Sequence, residues 1–243
     1  MSTTTDRISI HPFGGPLGAE VQGPVSAELS GVDTFAIVEA LRRHQVLVVK
    51  EQPLSDEALL EIASWFGPQF VAPDGIPVLG TDEQGAVTVL SNRDEKGVGS
   101  RIALPFHTDF QFMPHPLKGA VLHAVDVPPQ SAGGDTLWSN MYQALEELPE
   151  DLRAAIEGRR GTGINPYAGG LQGAGFTGET QKYTDDVVPD FWHPLVRTHP
   201  ETGRQSLYFS MFIHHIEGYE DRPDEELELL QALRAHVDQD HLY

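Results

Sequence analysis

The fold prediction for this chain depends most on residues 106–158, FHTDFQFMPHPLKGAVLHAVDVPPQSAGGDTLWSNMYQALEELPEDLRAAIEG. They begin with Phe106-His107-Thr108-Asp109, inside a segment (residues 104–112) in which aromatic and polar side chains alternate. Alternation of this kind predicts a β-strand, and a strand would point the His107 imidazole and the Asp109 carboxylate to the same side, with their roots about 7 Å apart. Two histidines and one carboxylate on one face hold mononuclear iron in oxygenases. The pair is therefore a candidate for two metal ligands.

The His-x-Asp motif alone is weakly specific, since about 0.8 matches are expected by chance from the His and Asp content. Three further His-x-acid triplets occur, namely His199/Glu201, His215/Glu217 and His236/Asp238. The last lies in a predicted helix, where two residues advance by about 200° and point the side chains apart. The first lies in a predicted turn, and the middle one follows a predicted strand and stays open. From the residues alone, a solvated or hydrogen-bonded His107–Asp109 pair also stays open.

The rest of the chain predicts short strands with helices around them. Helices are expected after the N-cap residues Asp33 and Ser55, over residues 141–158 with a break at Pro149, and from Pro223 onward. Strands are expected at residues 46–49, 86–90, 104–112 and 119–125, and a hairpin around the turn at 200–203. Residues 161–190 are rich in glycine and polar side chains and suggest an insertion or lid. The sum is a β-rich α+β chain.

Composition excludes several classes of function. The net charge of −20 argues against nucleic acid and anionic membranes as partners. The absence of cysteine excludes disulfides, thiolate metal sites and thiol nucleophiles. The sequence contains no apolar run long enough for a membrane span, and its first residues do not have the pattern of a secretory signal. A cytoplasmic protein is therefore expected.

Residues 106–158, together with WHPLVRTHPETGRQSLYF at 192–209, resemble two blocks of the taurine dioxygenase and 2,4-D dioxygenase (TauD/TfdA) family in the right order. The resemblance implies a single domain over residues 1–243 with a double-stranded β-helix (jelly-roll) fold and flanking helices. It further implies that His107 and Asp109 bind Fe(II) and that Thr136 hydrogen-bonds the co-substrate 2-oxoglutarate. Asn92 is a further candidate for the same pocket, and Arg101 is a candidate for binding an anionic substrate.

The family's second metal histidine, and an arginine that binds the far carboxylate of 2-oxoglutarate, are expected beyond residue 243. The resemblance thus implies a chain that is incomplete at its C-terminus and lacks the last strands. The implied reaction is hydroxylation of a small, anionic organic substrate with O2, releasing succinate and CO2; a homo-oligomer is possible. The alternative is a catalytically inactive or incomplete β-helix protein that binds a small molecule or metal. A hydrolase or lyase using zinc or manganese at the same pair, and a purely structural subunit, are further alternatives.

Overall fold

The computed structural model describes residues 7–26, 28–70, 87–91, 105–163 and 191–243. The chain divides into two compact units, which are described separately below. Unit 1 comprises Met1–Gln69, Lys118–Asn140 and Asp240–Tyr243, and unit 2 comprises Phe70–Leu117 and Met141–Gln239. In the described part of the chain, no helix has the length and apolar character that crossing a membrane requires.

Unit 1 contains a three-stranded sheet of β1 (Ser9–Pro12), β2 (Ala19–Gln22) and β3 (Leu47–Val49), in the order β1-β2-β3. β1 and β2 are antiparallel, with Ile10 opposite Val21, whereas β2 and β3 are parallel. A parallel pair needs a long crossover connection. That connection contains α1 (Gly31–His44), which is followed after β3 by α2 (Asp56–Ser64).

The N-terminus of α1 differs from the sequence prediction, because Ser30 and not Asp33 is the N-cap. The amide N–H of Asp33 donates to Ser30 Oγ at 3.1 Å, and Ser30 Oγ–H donates to Asp33 Oδ2 at 2.8 Å. The two side chains therefore close the first turn together, much as in a capping box. The prediction for α2 is confirmed, since Ser55 Oγ accepts from the amide of Ala58 at 3.3 Å.

The core of unit 1 lies between the sheet and the two helices. Its buried members are apolar side chains from both kinds of element: Val21, Val25, Ile37 and Ile62. Partly buried residues pack around them, including Leu47 and Trp65. Burial of these side chains is what holds such short strands in place, because an isolated pair of short strands is marginally stable in water.

Unit 2 contains an antiparallel sheet in the order β5-β4-β8, formed by β4 (Arg160–Gly163), β5 (Trp192–Pro194) and β8 (Ile213–Ile216). The central strand is tightly packed. A Cβ atom added at Gly161 would lie 2.8 Å from Leu195 Cδ2 and 3.1 Å from Ile213 Cγ2. Glycine at this position therefore makes room for two buried side chains.

The hairpin prediction is confirmed by β6 (Val196–Thr198) and β7 (Gln205–Leu207), which pair with Arg197 opposite Ser206. Gly203 in the connecting turn has φ of 70°, a conformation that glycine adopts without strain. The amide of Gly203 donates to the carbonyl of His199 at 2.9 Å and closes the turn.

The helices of unit 2 follow the predicted pattern. Residues 141–158 form α3 (Met141–Glu146) and α4 (Glu150–Ile156), separated at Pro149, which is the N-cap residue of α4. α5 (Pro223–Val237) begins with proline and carries three acids in its first turn, where they interact favourably with the helix dipole. Its buried side includes Leu230, Leu233 and Val237.

Two predicted strands are wrong over the described residues. Residues 105–112 form no ladder with another described segment, and residues 109–112 form a turn in which Phe110 has φ of 54° and its carbonyl accepts from the amide of Met113 at 3.0 Å. Residues 119–125 are likewise irregular. The alternation of side-chain types predicted strands, but a ladder also requires a partner strand, and local sequence does not supply one. The described residues are an α+β arrangement of eight short strands and five α-helices.

Candidate metal and co-substrate residues

His107 and Asp109 lie side by side in unit 2, with Nε2 of the imidazole 3.4 Å from Oδ1 of the carboxylate. Their side chains are 30% and 61% exposed, respectively. Although the segment is not a strand, exposure still alternates along it: positions 105, 107 and 109 are exposed, and 106, 108 and 110 are half-buried. The two side chains therefore share the outer side of the segment, as their spacing predicted.

The tautomer of His107 is determined by its other ring nitrogen. Nδ1 lies 3.0 Å from the carbonyl oxygen of Pro105, and because a carbonyl only accepts, Nδ1 carries the proton. In the neutral ring the lone pair is then on Nε2, the atom that faces Asp109. A backbone carbonyl that fixes one ring nitrogen in this way is one of the common partners of a metal-binding histidine.

The neighbours of His107 stabilise its protonated form relative to that of an imidazole free in water. The neighbouring Asp109 carboxylate, as hydrogen-bonding partner, raises the pKa of His107; burial opposes this, and the Pro105 carbonyl adds to the rise. A cation placed between the two side chains would take the position of this proton. The pair is thus suited to binding a positive charge, whether a proton or a metal ion.

The segment that carries the pair (residues 105–112) is held by a second segment of unit 2. The amide of Met211 donates to the carbonyl of Phe106 at 3.1 Å. The ring of Phe212 meets the imidazole of His107 edge-on, with 5.6 Å between centroids. On the other side of the turn, the Phe110 ring lies 5.9 Å from that of Phe112.

Two of the competing His-x-acid triplets have structural roles. His236 is buried in α5, with Nε2 2.7 Å from the carbonyl of Ala144 and Nδ1 3.1 Å from the side-chain nitrogen Nε2 of Gln239. Both of its ring nitrogens are therefore used within the fold. His199 accepts with Nδ1 from the amides of Glu201 and Thr202 at 3.2 and 3.3 Å, which stabilises the hairpin turn.

The third competitor is also engaged in the fold. The carboxylate of Glu217 accepts two bonds from Arg160, at 3.0 Å from Nε and 2.7 Å from a terminal nitrogen. His215 Nδ1 lies 3.3 Å from Oε2 of Glu226 and not on its triplet partner. The alternative that the sequence left open is thus occupied by an ion pair, and His107/Asp109 is the triplet whose two side chains meet.

The separation of His107 and Asp109 fits two ligands of one ion. Donor atoms that each lie about 2.1 Å from a metal can be at most about 4.2 Å apart, and the two atoms here are 3.4 Å apart. An imidazole nitrogen with one carboxylate oxygen is also a donor set that suits iron or manganese. Within the described ranges, no group of three or more His, Asp or Glu side chains is placed to hold a metal. The described residues therefore offer two candidate ligands of the expected three.

Of the three other predicted site residues, the structure describes only Thr136. Thr136 belongs to unit 1 and lies exposed in residues 133–140, which form neither helix nor strand. Gly133 and Gly134, just before it, have φ of 70° and 91°, so glycine is needed for this backbone path. Asn92 and Arg101 lie outside the described residues, as does most of the predicted insertion at 161–190.

Sequence reasoning missed the two groups that orient His107. The carbonyl of Pro105 carries no signal in the sequence, because every residue has one. Phe212 is 105 positions away from His107, and nothing in a local pattern predicts that their rings meet. Only the proline just ahead of the motif, which has no amide hydrogen to donate, indicates irregular backbone there.

Comparison with known proteins identifies similar sequences and folds. A family model described as "Taurine catabolism dioxygenase TauD, TfdA family" matches residues 9–243. An α-ketoglutarate-dependent sulfate ester dioxygenase of Pseudomonas putida is 30% identical over 238 residues, covering 95% of this chain and 75% of the relative. An (S)-phenoxypropionate/α-ketoglutarate dioxygenase of Sphingobium herbicidovorans is 33% identical over 229 residues, covering 93% and 78%. A crystal structure of a taurine dioxygenase from Burkholderia xenovorans has a TM-score of 0.71 at 28% identity, covering 97% of this chain and 75% of that one.

Proposed function

Because this chain belongs to the TauD/TfdA family of taurine catabolism dioxygenases, we propose that His107 and Asp109 are two of the ligands of its catalytic Fe(II). The chain is an α-ketoglutarate-dependent dioxygenase, that is, an oxidoreductase that uses 2-oxoglutarate as co-substrate. The observation that carries the ligand assignment is the 3.4 Å approach of His107 Nε2 to Asp109 Oδ1. The bond from His107 Nδ1 to Pro105 supports it, because it leaves Nε2 free to bind.

Fe(II) and 2-oxoglutarate, when bound, supply the activation of O2 and the oxidation of the substrate C–H bond. Overall, one substrate, one O2 and one 2-oxoglutarate give the hydroxylated product, succinate and CO2. The protein's part is to bind and orient. His107 presents its Nε2 lone pair, Pro105 holds the ring by Nδ1–H, and Asp109 contributes negative charge beside it. No side chain is assigned as acid or base, since hydrogen abstraction from carbon requires none.

For 2-oxoglutarate, we propose that the hydroxyl of Thr136 donates to a carboxylate, a pairing that suits both groups. Asn92 is proposed to line the same pocket, and Arg101 is proposed to bind the substrate. We also propose that the chain forms a single domain with a double-stranded β-helix fold. The protein is proposed to be cytoplasmic and to form a homo-oligomer. The likeness to the taurine dioxygenase structure supports the fold part of this proposal.

We propose a small organic anion as the substrate. Two relatives are named for a sulfate ester and for phenoxypropionate, both of which are anionic. The net charge of −20 would repel such a molecule unless a cation lies at the site. Arg101 is the proposed cation, and its replacement should raise KM for an anionic substrate more than it lowers kcat.

The test uses the protein expressed from its complete gene. Fe(II) and 2-oxoglutarate added without oxygen should give a weak visible charge-transfer band, and admission of O2 with a sulfate ester should release succinate. His107→Ala and Asp109→Ala should lose both signals, and His199→Ala, which affects only a surface turn, should keep them. Turnover under nitrogen would indicate a hydrolase or lyase instead, and a protein without succinate release under any condition would support the non-catalytic alternative.

A further inference from the structure

The turn at residues 109–112, which begins with Asp109 and follows His107 closely, is attached to the core of unit 2 by a buried side-chain hydrogen bond. Ser210 Oγ–H donates to Oε1 of Gln111 at 2.5 Å, across 99 positions of sequence. Both residues are 1% exposed. Gln111 follows Asp109 by two positions and lies within the same turn. The bond therefore joins the metal-ligand turn directly to the interior.

Ser210 is also bonded to the segment that contacts His107. Its Oγ accepts from the amide of Phe212 at 3.2 Å, so the hydroxyl proton is free to go to Gln111. The next residue, Met211, donates its amide to Phe106. Phe212 then places its ring against His107. Residues 210–212 thus contact the chain on both sides of the His107–Asp109 pair, with Ser210 bonded to Gln111 and Met211 bonded to Phe106.

Packing alone does not explain why a glutamine occupies this buried position. Nε2 of Gln111 is buried and has no hydrogen-bond partner within the described structure. A buried amide group left unpaired is unfavourable, and an apolar side chain of similar volume would avoid that cost. The bond between Gln111 and Ser210 is therefore better explained as a means of orienting the turn than as a means of stabilising the core.

We propose that Gln111 and Ser210 are positioning residues, which hold the turn so that His107 Nε2 and Asp109 Oδ1 converge on one cation. The inference rests on the proposed function, since it assumes that this pair binds the metal. Neither residue touches the metal; each acts through the backbone of the turn and through Phe212. Groups that orient metal ligands in this indirect way typically change metal affinity by about 10–100-fold when removed.

The experiment compares three variants of the protein expressed from its complete gene. Ser210→Ala removes the donor, and Ser210→Thr restores a hydroxyl. Thr162→Val is the matched control, because Thr162 is 3% exposed and its hydroxyl has no partner in the described structure. The probe is Mn(II) alone, which does not oxidise in air and accepts the same nitrogen and oxygen donors. Binding is measured by titration calorimetry.

Ser210→Ala should weaken Mn(II) binding by about tenfold or more, Ser210→Thr should recover most of it, and Thr162→Val should bind like wild type. Hydrogen–deuterium exchange on the metal-free proteins provides the second readout. In Ser210→Ala, residues 106–113 should exchange faster while α5 stays protected. Equal acceleration in α5 would show a general loss of stability and overturn the inference.

The inference fails if wild type and Ser210→Ala bind Mn(II) with the same affinity. Its failure is distinguishable from failure of the proposed function. A wild-type protein that does not bind Mn(II) refutes the metal site itself, and with it any positioning for a metal. A wild-type protein that binds, beside an Ser210→Ala variant that binds equally well, refutes only the role of Ser210 and Gln111.

Discussion

Replacing Asp109 with alanine should separate function from stability. The His107–Asp109 pair spans 3.4 Å, so full charges in water would attract by about 1.2 kcal/mol. Because the two side chains are 30% and 61% exposed, solvent screening and side-chain entropy reduce the net value to below about 1 kcal/mol. For a chain of this size that corresponds to a change in Tm of at most about 4 °C. The fold should therefore survive the substitution almost unchanged.

Metal binding should be affected by the Asp109→Ala substitution far more than the stability of the fold. At Mn(II) 100-fold above its Kd, a bound ion stabilises the folded state by about 2.7 kcal/mol. Wild-type Tm should then rise by about 5–10 °C on adding metal. Asp109→Ala removes a proposed direct ligand, so its loss of affinity should exceed the roughly 100-fold seen for outer groups, and the metal-induced rise should vanish.

The assay is differential scanning fluorimetry with and without Mn(II), on the protein expressed from its complete gene. Glu217→Ala is the matched control: Glu217 is also an exposed acid two residues after a histidine, but it pairs with Arg160. It should keep the full metal-induced rise in Tm. An Asp109→Ala protein that retains this rise, or one whose metal-free Tm collapses, would refute the reasoning and favour a structural role for the pair.

Three further predictions follow from packing and burial. Leu233→Ala, at a side chain that is fully buried in α5, should lower the free energy of unfolding by about 3–5 kcal/mol in urea titrations. Gly161→Ala should cost about 1–3 kcal/mol in the same assay because its Cβ would lie 2.8 Å from Leu195 Cδ2, and the same change should cost less when made in a Leu195→Ala background. Burial lowers the pKa of His193 from its ordinary 6.5, although its bond to the Met113 carbonyl opposes the shift. The folded state then binds fewer protons than the unfolded state, so stability should fall as the pH drops below 6.5. Urea unfolding midpoints measured at pH 7.5 and 5.5 should therefore differ less in His193→Gln than in wild type.

Local signals predicted the elements whose causes are local. Ser55 caps α2, and Pro149 separates α3 from α4. The turn at 200–203 joins β6 to β7. Proline and capping residues act on their own backbone, so their effects are readable from a few neighbouring residues. The cap of α1 was misplaced from Ser30 to Asp33 because both residues take part in the same reciprocal pair.

The sequence predicted correctly that His107 and Asp109 lie close together, and wrongly that they lie on a strand. A spacing of two residues was expected to align His107 and Asp109 on a strand, and they do lie together, but on an irregular segment that enters a turn. The alternation of exposure survives without the ladder. Whether a strand forms depends on a partner elsewhere in the chain, and residues 104–112 carry no information about that partner.

By itself, the sequence determined the charge, the local elements, the family resemblance and the candidate status of His107 and Asp109. Only the tertiary structure shows how the competing triplets are engaged: Glu217 pairs with Arg160 and His236 bonds to Ala144, at separations of 57 and 92 positions. It also decided the tautomer of His107 and the contact with Phe212. The physical reason is that a side chain becomes available for chemistry only when the folded chain leaves its polar atoms unused, and those competing partners are brought close by packing over the whole unit.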